Sequence, residues 1–152
     1  MHEEIILATD DNRDDLLTLK DALRRARILN RVEAVGNADD TICYLKGEGA
    51  YKDRVAYPSP ILLLLDLKMP GRSGFDVLAW LKEHPRYRPT AVVILAGVDS
   101  MEEIRRAYRL GVNSFLTKPL VVEDLMNALK GLHGVEIALE QDGCRLQPAG
   151  KA

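Results

Sequence analysis

The chain has 152 residues, 47% of them hydrophobic and 29% charged, with a formal net charge of -2. That length suits one domain with a core of its own. Acids and bases are mixed along it, which argues against a nucleic-acid or membrane surface. Cys43 and Cys144 lie far apart and match no metal-ligand spacing, so two free thiols in a reducing, cytoplasmic setting are expected. His2, Glu3 and Glu4 lead into an apolar run too short for a signal peptide. No run reaches the roughly 20 apolar residues of a membrane span.

The first apolar run, residues 5–8, predicts a strand, and Asp11 or Asn12 can cap the helix after it. Leu16, Leu19, Leu23 and Ala26 carry that helix at spacings of three and four. Residues 32–35 predict a second strand. A long connection follows over residues 46–60, with Gly47, Gly49, Pro58 and Pro60 in it. Residues 61–65 are continuously apolar, as in a strand buried on both faces, and end on Asp66. Met69-Pro70-Gly71 reads as a loop, and Ser73 as the cap of a helix bearing Val77, Leu78 and Leu81.

Residues 91–95 give a fourth strand and Ile104, Ala107 and Tyr108 a fourth helix, which Gly111 can end in the left-handed conformation. Residues 112–116 give a fifth strand, and Leu125, Leu129 and Leu132 a fifth helix. Five alternations of strand and helix predict an α/β fold with a parallel sheet. Beyond them, residues 134–139 are still apolar and need a cover, within the chain or on a partner. The tail from Gln141 is small and polar and is expected to be loose.

In a parallel α/β sheet, function gathers at the carboxyl ends of the strands. Asp10 and Asp11 follow the first run, Asp66 the third, and Lys118-Pro119 the fifth. If those strands are neighbours, three carboxylates and one ammonium converge. Two like charges about 4 Å apart repel by about 4 kcal/mol at an effective dielectric near 20, so three carboxylates there require a cation. Magnesium suits such a small, half-hydrated, oxygen-rich site and would also neutralise an incoming phosphoryl group. Asp66 is central, at the end of the most buried run, and is the expected nucleophile. An acidic pair at a helix start is usually only a cap, and a lone Asp or Lys-Pro only a turn. Their joint placement at strand ends is what points to chemistry. His2, His84 and His133 have no acid or nucleophile at a telling spacing and are expected at the surface, while the Tyr and Phe residues mostly follow helix or strand period and are expected in packing.

Leu7-Ala-Thr-Asp-Asp-Asn12, Leu63-Leu-Leu-Asp-Leu-Lys-Met-Pro-Gly71 and Ser114-Phe-Leu-Thr-Lys-Pro119 resemble the three signature stretches of response-regulator receiver domains. The resemblance spans roughly residues 3–133. It implies a flavodoxin-like, doubly wound (βα)5 fold with strand order 2-1-3-4-5, in which residues 1–133 are the receiver and residues 134–152 a C-terminal arm, with no output domain. It implies that Asp66 accepts a phosphoryl group from a histidine kinase. Asp11, Asp66 and the backbone carbonyl of Lys68 would hold Mg2+, with Asp10 acting through a metal-bound water. Lys118 would bind the phosphoryl group, and Phe115 would be the rotating switch aromatic. Such a chain is a signalling phosphoacceptor with at most intrinsic autophosphatase activity, not an enzyme in its own right. The stretch Leu45-Lys-Gly-Glu-Gly-Ala-Tyr51 and the apolar arm resemble stand-alone regulators paired with phytochrome-type histidine kinases, which implies such a kinase as partner and a homodimer, with no nucleic acid or membrane involved.

The sequence departs from the family at the end of the fourth strand. Ala96 stands where members carry Thr or Ser, so the hydroxyl that normally binds a phosphoryl oxygen is missing there. Lys68 stands where a neutral or acidic residue is commoner. Metal, Asp66 and Lys118 suffice for phosphoryl acceptance, but switching needs the hydroxyl. A second reading is therefore an atypical receiver that binds proteins independently of phosphate. A third, an aspartyl phosphohydrolase, lacks the general acid two residues after Asp66, where Lys68 stands.

Overall fold

The apolar runs form strands and the periodic segments form helices. The structure, a computed structural model, describes residues 3–69, 71–97 and 100–150. Chain order is β1 (Ile5–Thr9), α1 (Arg13–Arg25), β2 (Val32–Val35), α2 (Ala38–Lys46), β3 (Pro60–Asp66), α3 (Gly74–Glu83), β4 (Ala91–Ala96), α4 (Met101–Arg109), β5 (Ser114–Thr117), α5 (Val122–Lys130), β6 (Val135–Glu140) and β7 (Gly143–Pro148). The first five strands form one sheet in the order β2-β1-β3-β4-β5, all neighbours parallel. This is the flavodoxin-like arrangement expected from the sequence.

The sheet is covered on both faces, and strand alternation divides the core in two. Ile5, Leu7, Leu63, Leu65, Val92 and Ile94 pack toward α2, α3 and α4. Ile6, Ala8, Leu62, Leu64, Val93 and Leu95 pack toward α1 and α5. All seven residues of β3 are buried, which explains its unbroken hydrophobicity. Each fully buried Leu there contributes roughly 1.5–3 kcal/mol.

Helix ends follow the capping chemistry. Asn12 caps α1, its side chain accepting from the Asp15 amide at 3.0 Å. The Ser73 amide donates to Asp76 Oδ2 at 2.6 Å at the start of α3. At the end of α4, Gly111 has φ 97°, its N–H donates to the Tyr108 carbonyl and that of Val112 to the Ala107 carbonyl, which is a Schellman closure. The connection between α2 and β3 is not slack. Tyr44, Tyr51 and Tyr57 cluster with ring centroids 4.8–6.1 Å apart, and the Arg54 guanidinium donates to the carbonyls of Leu45, Tyr51 and Tyr57.

The C-terminal segment differs from expectation. The tail from Gln141 is not loose: β6 and β7 form an antiparallel hairpin with Gln141 and Asp142 at its turn. Asp142-Gly143 is a turn signal, and β7 alternates buried Cys144 and Leu146 with exposed Arg145. The hairpin docks beside α1. Cys144 N–H donates to the Arg27 carbonyl and Leu29 N–H to the Cys144 carbonyl, each at 2.8 Å. The Asn30 amide accepts from Leu146 N–H at 2.8 Å and donates to the Leu146 carbonyl at 3.0 Å. Val135, Cys144 and Leu146 thereby join the α1–α5 core. The cover for residues 134–139 is thus partly internal, although Leu139 remains 88% exposed.

No helix among the described residues is long and apolar enough to cross a membrane. Both cysteines are free thiols. His84 and His133 are exposed, as expected. His2 and Pro70 lie outside the described residues.

Candidate functional site

β1, β3 and β5 deliver their acids and base to one end of the sheet. The Asp10 amide donates to the Val35 carbonyl at 3.2 Å, so Asp10 continues the β1–β2 pairing just past the end of β1. Its Oδ1 accepts from the Asn12 amide at 3.0 Å. Asp66 is the last residue of β3, and the next amide, of Leu67, donates to the Leu95 carbonyl. Gly74 opens α3 against this point. A Cβ on Gly74 would lie 2.5 Å from the Asp66 carbonyl oxygen, so only glycine lets the helix approach the end of β3 this closely. The Lys118 amide donates to the Ala96 carbonyl at 2.9 Å just after β5.

Carboxylate oxygens of Asp10, Asp11 and Asp66 lie within 4.8 Å of one another. Asp10 is 1% and Asp66 5% exposed, while Asp11 is open to solvent. The Lys118 Nζ lies 2.9 Å from Asp10 Oδ2 and 3.3 Å from Asp66 Oδ1. These residues, with Lys68 and Ala96, line a single cleft of about 340 Å³.

Burial and the neighbouring Asp10 charge push the Asp66 carboxyl up to about 6, against the opposing pull of Lys118 and of the Lys68 backbone amide. Burial works against the Lys118 charge, but hydrogen bonds to Asp15 and Asp10 and the charge of Asp66 outweigh it and hold the ammonium above the ordinary lysine value. One ammonium does not neutralise three carboxylates. A hard divalent cation with oxygen ligands matches this surplus, so the residues fit the expected metal.

Asp15, Ser100 and Glu103 also line the cleft, a placement not expected from the sequence. Asp15 Oδ2 is 2.9 Å from Lys118 Nζ. Its place in the first turn of α1, four residues after Asp11, was the available signal. Lys68 lines the cleft with its side chain exposed. Its ammonium is 3.5 Å from Glu103 Oε1 on α4. Phe115 is half-buried on β5 and meets Tyr108 edge-on at 6.3 Å. Ala96 is buried at the end of β4 and offers no hydroxyl.

The chain matches the family model "Response regulator receiver domain" over residues 6–130. It is 28% identical over 129 residues to the response regulator Rcp1 of Synechocystis sp., a match covering 85% of this chain and 86% of Rcp1. A solved structure of Rcp1, described as its Mn(2+)-bound form, aligns with a TM-score of 0.68 at 28% identity over 82% of this chain and 87% of that one. The bacteriophytochrome response regulator RtBRR aligns with a TM-score of 0.81 and 28% identity, over 92% of this chain and 84% of that one. Its counterpart AtBRR aligns with a TM-score of 0.78 and 33% identity, over 93% and 99%. With its parallel sheet in the order 2-1-3-4-5 and its acidic cleft at the strand ends, the chain belongs to the response-regulator receiver domain family.

Proposed function

We propose that this chain is a cytoplasmic response regulator that accepts a phosphoryl group on Asp66 from a histidine kinase, of the phytochrome type. The observation that carries this is the convergence of Asp10, Asp11 and Asp66 within 4.8 Å, with Lys118 reaching the Asp66 carboxylate. Asp11, Asp66 and the Lys68 carbonyl would hold Mg2+, and Asp10 would act through a bound water. The metal supplies charge neutralisation for the entering phosphoryl oxygens. The Mn(2+)-bound form of Rcp1 supports a divalent ion in this setting.

An oxygen of ionised Asp66 attacks phosphorus in line with the bond to the kinase's phosphohistidine. The P–N bond breaks as the O–P bond forms, and the imidazole leaves with the electron pair and takes up a proton. Lys118 holds a phosphoryl oxygen, exchanging part of its contact with Asp10 and Asp15 for the new negative charge. The chain returns to its starting state when water hydrolyses the acyl phosphate.

We place a homodimer contact on the C-terminal hairpin. Leu139 is 88% exposed there, beside a groove lined by Met126, Ile137 and Cys144. Ala96 favours a second reading, a protein-binding receiver that works without phosphate. Phosphotransfer from a phytochrome-type histidine kinase carrying radiolabelled phosphate separates the two. Label moving to the chain, and not to Asp66→Asn, supports the phosphoacceptor; label staying on the kinase supports the second reading.

A further inference from the structure

Ser100 is 2% exposed, and its Oγ is the one buried side-chain nitrogen or oxygen without a hydrogen-bond partner among the described residues. It stands at the N-cap of α4, where a serine ordinarily satisfies a backbone amide of the first turn. Here the hydroxyl makes no capping bond. The backbone around it is otherwise satisfied: the Ser100 amide donates to the Gly97 carbonyl at 3.2 Å, and the Ser100 carbonyl accepts from Ile104 at 2.9 Å. These bonds hold Ser100 against the end of β4, and it lines the same cleft as Asp66, Ala96, Gly97 and Lys118.

A buried hydroxyl left without a partner is unfavourable, and native structures rarely retain one without a use. The cleft lacks a hydroxyl at Ala96. We propose that Ser100 Oγ, and not a side chain on β4, donates the hydrogen bond that a phosphoryl oxygen on Asp66 receives. The inference rests on the phosphoacceptor reading above and adds the residue that completes the phosphoryl-binding set. It also changes which element the phosphoryl group pulls. A hydroxyl on β4 would draw in a strand end, whereas Ser100 is the N-cap residue of α4, the helix that carries Glu103 and Tyr108. The bound phosphoryl group would then bias α4 directly, and through Tyr108 the ring of Phe115.

The test is calorimetric titration with beryllofluoride in Mg2+, as a phosphoryl mimic, on the parent, Ser100→Ala, and Ser100→Ala combined with Ala96→Thr. Loss of a charge-assisted hydrogen bond should weaken beryllofluoride binding by about tenfold or more in Ser100→Ala. Mg2+ affinity without beryllofluoride and the thermal midpoint should stay at parental values, a pattern that structural damage would not give. The added threonine should restore most of the lost affinity. Ser100→Ala binding within about twofold of a parent that binds beryllofluoride overturns the role of Ser100 and leaves the phosphoacceptor reading standing. A parent that binds no beryllofluoride overturns both.

Discussion

Lys118 Nζ stands 3.3 Å from Asp66 Oδ1 while also lying 2.9 Å from Asp15 Oδ2, so the ammonium is shared between the carboxylate that ends β3 and one on α1. Phosphorylation must draw it toward the new phosphoryl oxygens, and Asp15 competes for it. Asp15→Ala should therefore bind beryllofluoride more tightly in Mg2+. The pair is partly exposed, with side chains 28% and 42% accessible. Pairs of that kind contribute about 0.2–1 kcal/mol, so the gain should be at most about fivefold, read by calorimetry. Weaker binding would mean that Asp15 positions Lys118 for the phosphoryl group.

The acidic cluster should make stability depend on pH and on added metal. Asp66 is raised from 3.8 to about 6 by burial and by Asp10, so the native state binds more protons than the unfolded chain between those values. Metal-free protein should lose stability as pH rises through that window and remain at the lower level above it. Mg2+ should stabilise more at pH 8 than at pH 5, where protons compete for the same oxygens. Asp66→Asn, without metal at pH 8, should be more stable than the parent by the order of 1–3 kcal/mol, since one pKa unit corresponds to about 1.4 kcal/mol. Urea unfolding across pH, with and without Mg2+, reads all three.

Much of this architecture was legible in the sequence. The unbroken run into Asp66 and the acidic pair after β1 announced strands buried on both faces and chemistry at their ends, because apolar periodicity and strand-end placement are local signals. Asp15 was missed because its partner, Lys118, is 103 residues away, a pairing that only the fold brings about. Ser100 was missed because a serine before a helix reads as a cap, and only the structure shows that its hydroxyl caps nothing. The hairpin was missed because β7 is half polar, with exposed Arg145 between Cys144 and Leu146. What docks it is Asn30, whose amide imitates a neighbouring strand toward Leu146.

That docking predicts a sizeable effect far from the acidic cleft. Asn30→Ala would leave buried Leu146 groups unpaired and should destabilise the protein by about 1–3 kcal/mol. Gly143→Ala should act in the same direction, since a Cβ there would collide with the Arg27 carbonyl oxygen. Amide exchange should show the hairpin opening in both variants while β3 stays protected. Truncation after His133 should both lower stability and shift the mass in solution toward monomer. Leu139→Asp should shift the mass alone. A parent that is monomeric at high micromolar concentration would end the dimer proposal.

Ala96→Thr should strengthen the conformational response to beryllofluoride. It supplies a hydroxyl on β4 in addition to Ser100, and a ligand shifts an equilibrium only by its differential contacts with the two states. An added charge-assisted bond of about 1.5–3 kcal/mol is worth roughly tenfold to hundredfold in that bias. Chemical shifts of Phe115 and Tyr108, which meet edge-on, report it. A parent that already responds as fully as Ala96→Thr shows that no hydroxyl on β4 is needed.

The central claim is that Asp66 accepts a phosphoryl group. Intact-mass measurement after incubation with Mg2+ and a small acyl-phosphate donor tests it most directly. One phosphoryl group should be added to the parent, lost again when the donor is removed, and absent from Asp66→Asn and from the parent without divalent metal. A parent that stays unlabelled, or an Asp66→Asn variant labelled to the same extent, would contradict it.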